Sequence, residues 1–213
     1  MLTPRKMQYD KAGPKVAEAL NKRHFEAYYC PDRAAAVEKV LELISPEDTV
    51  SWGGTLTVDE LGLKDLLRAR GQKLIDRDTA QSGEEREELM RKGLLADTFL
   101  TSSNAVTADG QLFNIDGNGN RVAAFCFGPK QVIVVAGMNK VVPDMDAAYS
   151  RVRSYTAPGV VQRFPAAKTP CNVTGLCADC MGPDSSCCHF VHTRLCRPAK
   201  RIKVVLVGEE LGL

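Results

Sequence analysis

Short apolar runs alternate with helix-period segments along most of the chain. Residues 25–30 are β-prone and stop at Pro31. Asp32 then predicts the cap of a helix, DRAAAVEKVLELIS, whose Val37, Val40, Leu41 and Ile44 share one face, and Pro46 stops it. Residues 48–52 predict a strand, followed by Gly53-Gly54 and a second helical segment, TVDELGLKDLLRAR, which Gly71 ends. Residues 73–76 read as another strand, and Ser82 opens a charged helix, SGEEREELMRKG. Three further apolar strands are predicted over residues 96–101, 131–136 and 202–207, with a helix over 144–152.

Strands that alternate with helices indicate a mostly parallel sheet flanked by helices, an α/β fold. The runs VIVVA and KVVLV are apolar at consecutive positions, as strands buried on both faces require. Residues 104–125 break the pattern. Asp109-Gly110 and DGNGN (116–120) are turn chemistry, which predicts a hairpin or two loops crossing the top of the sheet. Residues 170–200 carry little regular pattern, yet the chain then returns to the sheet as IKVVLVG. This stretch is an excursion before the last strand, within one domain spanning residues 1–213. Ordered loops longer than about 15 residues are uncommon without a function, and a metal centre would supply the order.

Composition narrows the class. At 213 residues, 44% hydrophobic and 25% charged, the chain suits one globular domain rather than a disordered or coiled-coil one. A net charge of +2 is no footprint of a nucleic-acid binder. No apolar run approaches the roughly 18 residues of a membrane span. The opening MLTPRKMQYDKAGPK lacks the apolar core of a secretory signal, so the expected location is cytoplasmic. Thiols stay reduced there, and six of the eight cysteines fall within 26 residues, from Cys171 to Cys196. Such a cluster points to metal or redox chemistry rather than disulfides.

Four places could carry chemistry. The turn at Gly53, Gly54 and Thr55 follows a strand and opens a helix, where backbone N–H groups favour an anion. Glu60 is either a working carboxylate or, through Thr57-x-x-Glu60, part of a capping box. The polar stretch 101–121 holds Asn104, Asp116, Asn118 and Arg121 at the carboxyl edge of the sheet, where open α/β folds bind ligands; its Asx residues equally suit plain turns. Asn139 and Lys140 follow another buried strand, and a lysine there could neutralise an anionic group. The fourth is C-x5-C-x2-C-x6-C, formed by Cys171, Cys177, Cys180 and Cys187. Iron–sulfur clusters take four such thiolates. Zinc remains an alternative, with His189 or His192 as a substitute ligand, and Cys188 and Cys196 are further thiols that could replace one of the four. Arg194, Arg197, Lys200 and Arg201 could offset thiolate charge. The single Trp52 reads as packing against the sheet.

The runs SWGGTLTVDELGL, S-x-NA-x-T-x-DG, N-x-DG-x-GNR-VA and G-x-NK-x-V-x-D resemble the lactate-utilization (LUD) domain family, from about residue 10 to the end. The cysteine segment is similar to that of small stand-alone members, beside which Cys188 and Cys196 are additional. The resemblance implies a fold of the NagB/RpiA/CoA-transferase type. It also implies work near lactate oxidation beside iron–sulfur and oxidoreductase subunits, with no agreed catalytic set. The expectation is an accessory or electron-transfer protein that holds a small anionic metabolite and a cluster of the 4Fe-4S type. The alternatives are a CoA-transferase- or isomerase-like enzyme using Glu60 or Asp116, and a non-catalytic sensor with structural zinc. The reading leaves room for a homodimer.

Overall fold

A computed structural model describes residues 3–213; the first two residues of the expected domain lie outside them. A helix that the sequence pattern conceals comes first: α1 (Pro4–Lys22) is capped by Thr3, whose side chain accepts from Lys6 N. It is mostly polar, yet Tyr9, Val16, Ala17 and Leu20 reach the core.

The chain continues through β1 (Glu26–Cys30), α2 (Arg33–Leu43), β2 (Thr49–Trp52), α3 (Leu56–Glu60), α4 (Leu63–Ala69) and β3 (Lys73–Ile75). Then come α5 (Gly83–Gly93), β4 (Thr98–Thr101), β5 (Ala105–Thr107), β6 (Leu112–Asp116), α6 (Asn120–Cys126) and β7 (Gln131–Gly137). The last part holds β8 (Val141–Val142), α7 (Met145–Arg151), α8 (Ala157–Val161), α9 (Pro170–Thr174), β9 (His189–Thr193) and β10 (Ile202–Val207).

Six strands form one sheet in the order β1-β10-β7-β4-β2-β3, and every pairing is parallel. Alternate residues of β7 serve opposite cores. Val132, Val134 and Ala136 join the α1 side, while Ile133 and Val135 join the side covered by α2, α3 and α4. Burial on both faces is why these strands are apolar without a period. Asp32 and Ser82 cap α2 and α5 through their side chains, as their positions predict. Among the described residues, no helix is long and apolar enough to cross a membrane.

Several local expectations change. TVDELGLKDLLRAR is two helices, because Gly62 takes a left-handed φ of 64° between α3 and α4. The cap of α3 is Thr55, which accepts from Val58 N, so Thr57 and Glu60 form no capping box. The stretch after residue 104 is the expected hairpin, β5–β6, but it also builds a second sheet of order β8-β5-β6-β9 and leads into α6. The helix at 145–151 runs on through a π-helical turn, Val152–Thr156, into α8. The cysteine excursion is partly regular: α9 lies within it, and β9 pairs antiparallel with β6 from Leu112↔Thr193 to Asp116↔His189. Hydrogen bonding to the second sheet therefore anchors part of it.

Candidate functional site

The segments that leave β2, β4, β7 and β10 all emerge at the carboxyl edge of the large sheet and meet there. The loop after β7 carries Lys140, which is 3% exposed. Its Nζ donates to Thr57 Oγ1 in α3 and to Ser102 Oγ just past β4, both at 2.9 Å. Thr57 is fully buried, so the hydroxyl first read as a cap instead accepts from this lysine. Gly212, past β10, closes over the pair. With φ of 58°, a Cβ there would stand 2.7 Å from Thr57 Oγ1 and 3.2 Å from Lys140 Nζ. Burial pushes the Lys140 amine down to about 7, and the neighbouring cations Arg151 and Arg121 add to the effect; Glu60 opposes it.

Lys140 lines a cavity of about 1200 Å³, together with Gly54, Thr55, Ser102, Asn104, Asp116, Asn118 and Arg121. Gly53 stands directly behind: a Cβ there would come 2.8 Å from Arg121 Cγ. Residues singled out in three separate segments of the sequence therefore line one cavity. Thr156, placed by the π-helical turn, joins the wall.

Chemical roles within this group differ from those expected. All five N–H donors of Arg121 are spent inside the protein. Nε pairs with Asp116 at 3.2 Å, Nη1 donates to Ser102 O and Asn114 Oδ1, and Nη2 donates to Asn104 Oδ1 and Ile115 O. Arg121 thus ties α6 to the loop after β4 and to β6. Asp116 is committed as well, to Arg121 and to Gly119 N at 2.8 Å. Asn104 Oδ1 also accepts from Ile115 N. Helix α3 has only five residues, too short for the dipole invoked for the Gly-Gly turn.

A cation that sequence reasoning missed takes that place. Arg77 follows β3 and lines the cavity, with Nη2 3.1 Å from the Cβ position of Gly54. Its Nε is buried with no hydrogen-bond partner among the described residues. Burial lowers its pKa, and Arg86 adds to this. No periodicity or motif marked Arg77, because only the packing of α5 and β3 turns it inward. Arg86, Arg91 and Arg163 also stand around the cavity, and cations outnumber the carboxylates Glu87, Asp116 and Asp184.

Glu60 and Asn139 lie outside this space. They line a smaller hollow of about 420 Å³ with Arg151, Tyr155, Glu210 and Gly212. Glu60 accepts from Gly212 N at 2.9 Å, and Asn139 Oδ1 accepts from Leu211 N at 3.1 Å. Both residues hold down the segment after β10. Trp52 packs in the core, and its Nε1 donates to Asp78 at 2.9 Å.

The cysteines divide into two groups. Burial raises the Cys187 thiol to about 11, and Cys177, Cys171 and Cys180 are near enough to raise it further. The cation at this group is Arg153, whose Nη2 donates to Cys177 Sγ at 3.3 Å and to Asp179 at 2.6 Å. It is not Arg201, which binds the carbonyls of Ala124, Phe125 and Pro129. Cys196 is a core residue that accepts from Ile202 N, and Cys188 donates to Ser185 O. His192 bonds Gln111, and His189 lies against Gly119. Among the described residues, no three His, Cys, Asp or Glu side chains close on a point as one metal ion requires.

The sequence profile described as the LUD domain matches residues 14–207. No curated protein matches the chain. Among solved structures, it is similar to a DUF162 family protein from Deinococcus radiodurans, with 12% identity and a TM-score of 0.55, over 93% of this chain and 98% of that one. At that identity the likeness is one of fold, and the fold is the helix-flanked parallel sheet described above.

Proposed function

Because the chain belongs to the LUD domain family, whose role at the family level is in lactate utilization, we propose that it binds a small 2-hydroxy-acid-type anion at the carboxyl edge of its sheet. In this reading it also holds an iron–sulfur cluster at Cys171, Cys177, Cys180 and Cys187, as an accessory or electron-transfer component. The observation that carries the reading is the cavity itself. Arg77, whose Nε makes no hydrogen bond among the described residues and lies 3.8 Å from Asp78 Oδ1, and Lys140 face one space that also offers the Ser102 hydroxyl and the Gly54–Thr55 turn. A hydroxy acid needs a cation for its carboxylate and a donor or acceptor for its hydroxyl, and both are supplied.

For the thiol set we favour a cluster over zinc. A single zinc ion draws four sulfurs to about 2.3 Å, whereas a four-iron cluster takes one thiolate per iron and so accepts a wider ring. Cys187 responds to Cys177, Cys171 and Cys180, so the four thiols share one neighbourhood. Arg153 at Cys177 would balance thiolate charge, and α9 and β9 hold the two ends of the segment. A bound cluster would supply one-electron transfer. Catalysis by Glu60 or Asp116 finds no support, since Glu60 is outside the cavity and Asp116 is paired with Arg121.

Anaerobic purification with iron and sulfide analysis tests the cluster: four iron and four sulfide per chain are expected, and stoichiometric zinc or neither element overturns it. Calorimetric titration with lactate tests the cavity. Binding that Arg77→Gln weakens is expected, and binding indifferent to Arg77 overturns the placement.

A further inference from the structure

We propose that Lys140 is a nucleophile that captures the carbonyl carbon of a 2-oxo acid, the oxidised counterpart of a 2-hydroxy acid, as an imine within the main cavity. The inference rests on the cavity reading above and deepens it. A lysine that only anchors an anion should carry its proton, and a buried ammonium needs a carboxylate or three acceptors. Lys140 has neither. It makes no ion pair among the described residues, and its Nζ has two acceptors, Thr57 Oγ1 and Ser102 Oγ. Two N–H donors and one lone pair are the inventory of a neutral amine, and the two hydroxyls account for both donors.

The surroundings favour the same state. Arg151 comes from α7 and Arg121 from α6, and both disfavour a charge on Nζ. Glu60 of α3 is the carboxylate that faces Lys140, but its carboxylate accepts from Gly212 N. The amine therefore gives up its proton close to neutral pH, the condition for a lysine nucleophile.

The step balances without another reactant. The Nζ lone pair attacks the C2 carbonyl carbon and forms the N–C bond. The carbonyl oxygen then leaves as water, taking up the two amine protons, and a C=N bond remains. Thr57 and Ser102 hydroxyls, 3.4 Å apart and both on Nζ, are placed to pass protons during dehydration. Arg77 would take the substrate carboxylate. No electron donor or acceptor is required, because imine formation is a condensation.

The test uses the full chain with pyruvate and sodium cyanoborohydride, followed by intact mass and peptide mapping. One saturable adduct on the peptide containing Lys140, absent with lactate in place of pyruvate, is expected. Lys140→Met should abolish it, and circular dichroism reports whether that variant folds; the wild-type peptide map does not depend on the variant. Calorimetric binding of pyruvate without an adduct, or adducts spread over surface lysines, overturns the imine and leaves the anion cavity standing. Failure of both pyruvate and lactate to bind overturns the cavity reading together with the inference.

Discussion

Lys140 Nζ and Ser102 Oγ stand 2.9 Å apart across the carboxyl edge of the sheet, though 38 residues separate them in sequence. They meet because β4 and β7 are neighbours in register, Thr101 opposite Val134, so that the loops leaving both strands emerge side by side. The contact places a polar, buried amine between segments that each looked like an ordinary turn.

Burying that amine makes stability depend on pH. In the folded chain it loses its proton near pH 7, against the usual 10.5. Between these values the unfolded chain binds the extra proton, so stability rises with pH; below about 7 both states are protonated and the full cost of the buried charge is present. Lys140→Met should therefore be stabilised relative to wild type by a few kcal/mol, at most about 5, below pH 7. The gain should shrink towards pH 10. Urea unfolding of both proteins from pH 6 to pH 10 checks this, and a difference that does not vary with pH would count against it.

Arg77 and Arg121 should behave differently although both line the cavity. Arg77→Gln removes a guanidinium held only by a long 3.8 Å pairing with Asp78 and a contact to Met90 Sδ, and should weaken anion binding roughly 10- to 100-fold, the worth of a charge-assisted hydrogen bond, with little change in Tm. Arg121→Gln leaves Asp116, whose side chain is 10% exposed, without its counter-charge and should cost about 3–5 kcal/mol of stability. Thermal unfolding beside calorimetric titration separates the two.

Gly212→Ala should lower Tm by several degrees. Its φ of 58° disfavours a side chain, and a Cβ would press on Thr57 Oγ1 at 2.7 Å. The displaced segment should also open Lys140 to water, which hydrogen exchange at residues 209–213 would register as faster exchange.

Glu60→Gln should keep anion affinity and cost under about 1 kcal/mol, because a Gln side-chain oxygen can still accept from Gly212 N. Its tolerance would come from this contact across the site, not from a helix cap. A large loss of affinity with the fold intact would restore Glu60 as a working carboxylate.

Cys177→Ser and Cys180→Ser should each abolish bound iron while the sheet stays folded, whereas Cys30→Ser and Cys126→Ser should leave iron content unchanged. Cys30 belongs to the core beside α2, and Cys126 ends α6. In the iron-free variants, residues 175–187 should become protease-sensitive ahead of β9, which its pairing with β6 retains. Limited proteolysis with mass mapping reads this order.

Much of the architecture was legible in the chain itself. The strands β7 and β10 declare themselves because burial on both faces demands consecutive apolar residues, and the caps at Asp32 and Ser82 act within one turn of their own backbone. The loops carrying Gly54, Asn104, Asn118 and Lys140 could be placed at one edge because each follows a strand or crosses that edge in a parallel fold. The thiol quartet stood out by spacing alone.

The rest needed the tertiary structure. Helix α1 was hidden because its core-facing residues are few and its remaining surface is polar. Thr57 matched a cap motif, yet the motif holds only local information, and the hydroxyl instead faces a lysine 83 residues away. Arg77 has no signature at all. Asp116 and Arg121 read as site chemistry, but five donors saturated by distant acceptors make the arginine a brace. A sequence records each residue's local preferences, and these settle elements and edges. Which side chains remain unpaired, and which amine is buried without a counter-charge, depends on strand order and loop convergence, and these arise only when β10 inserts between β1 and β7.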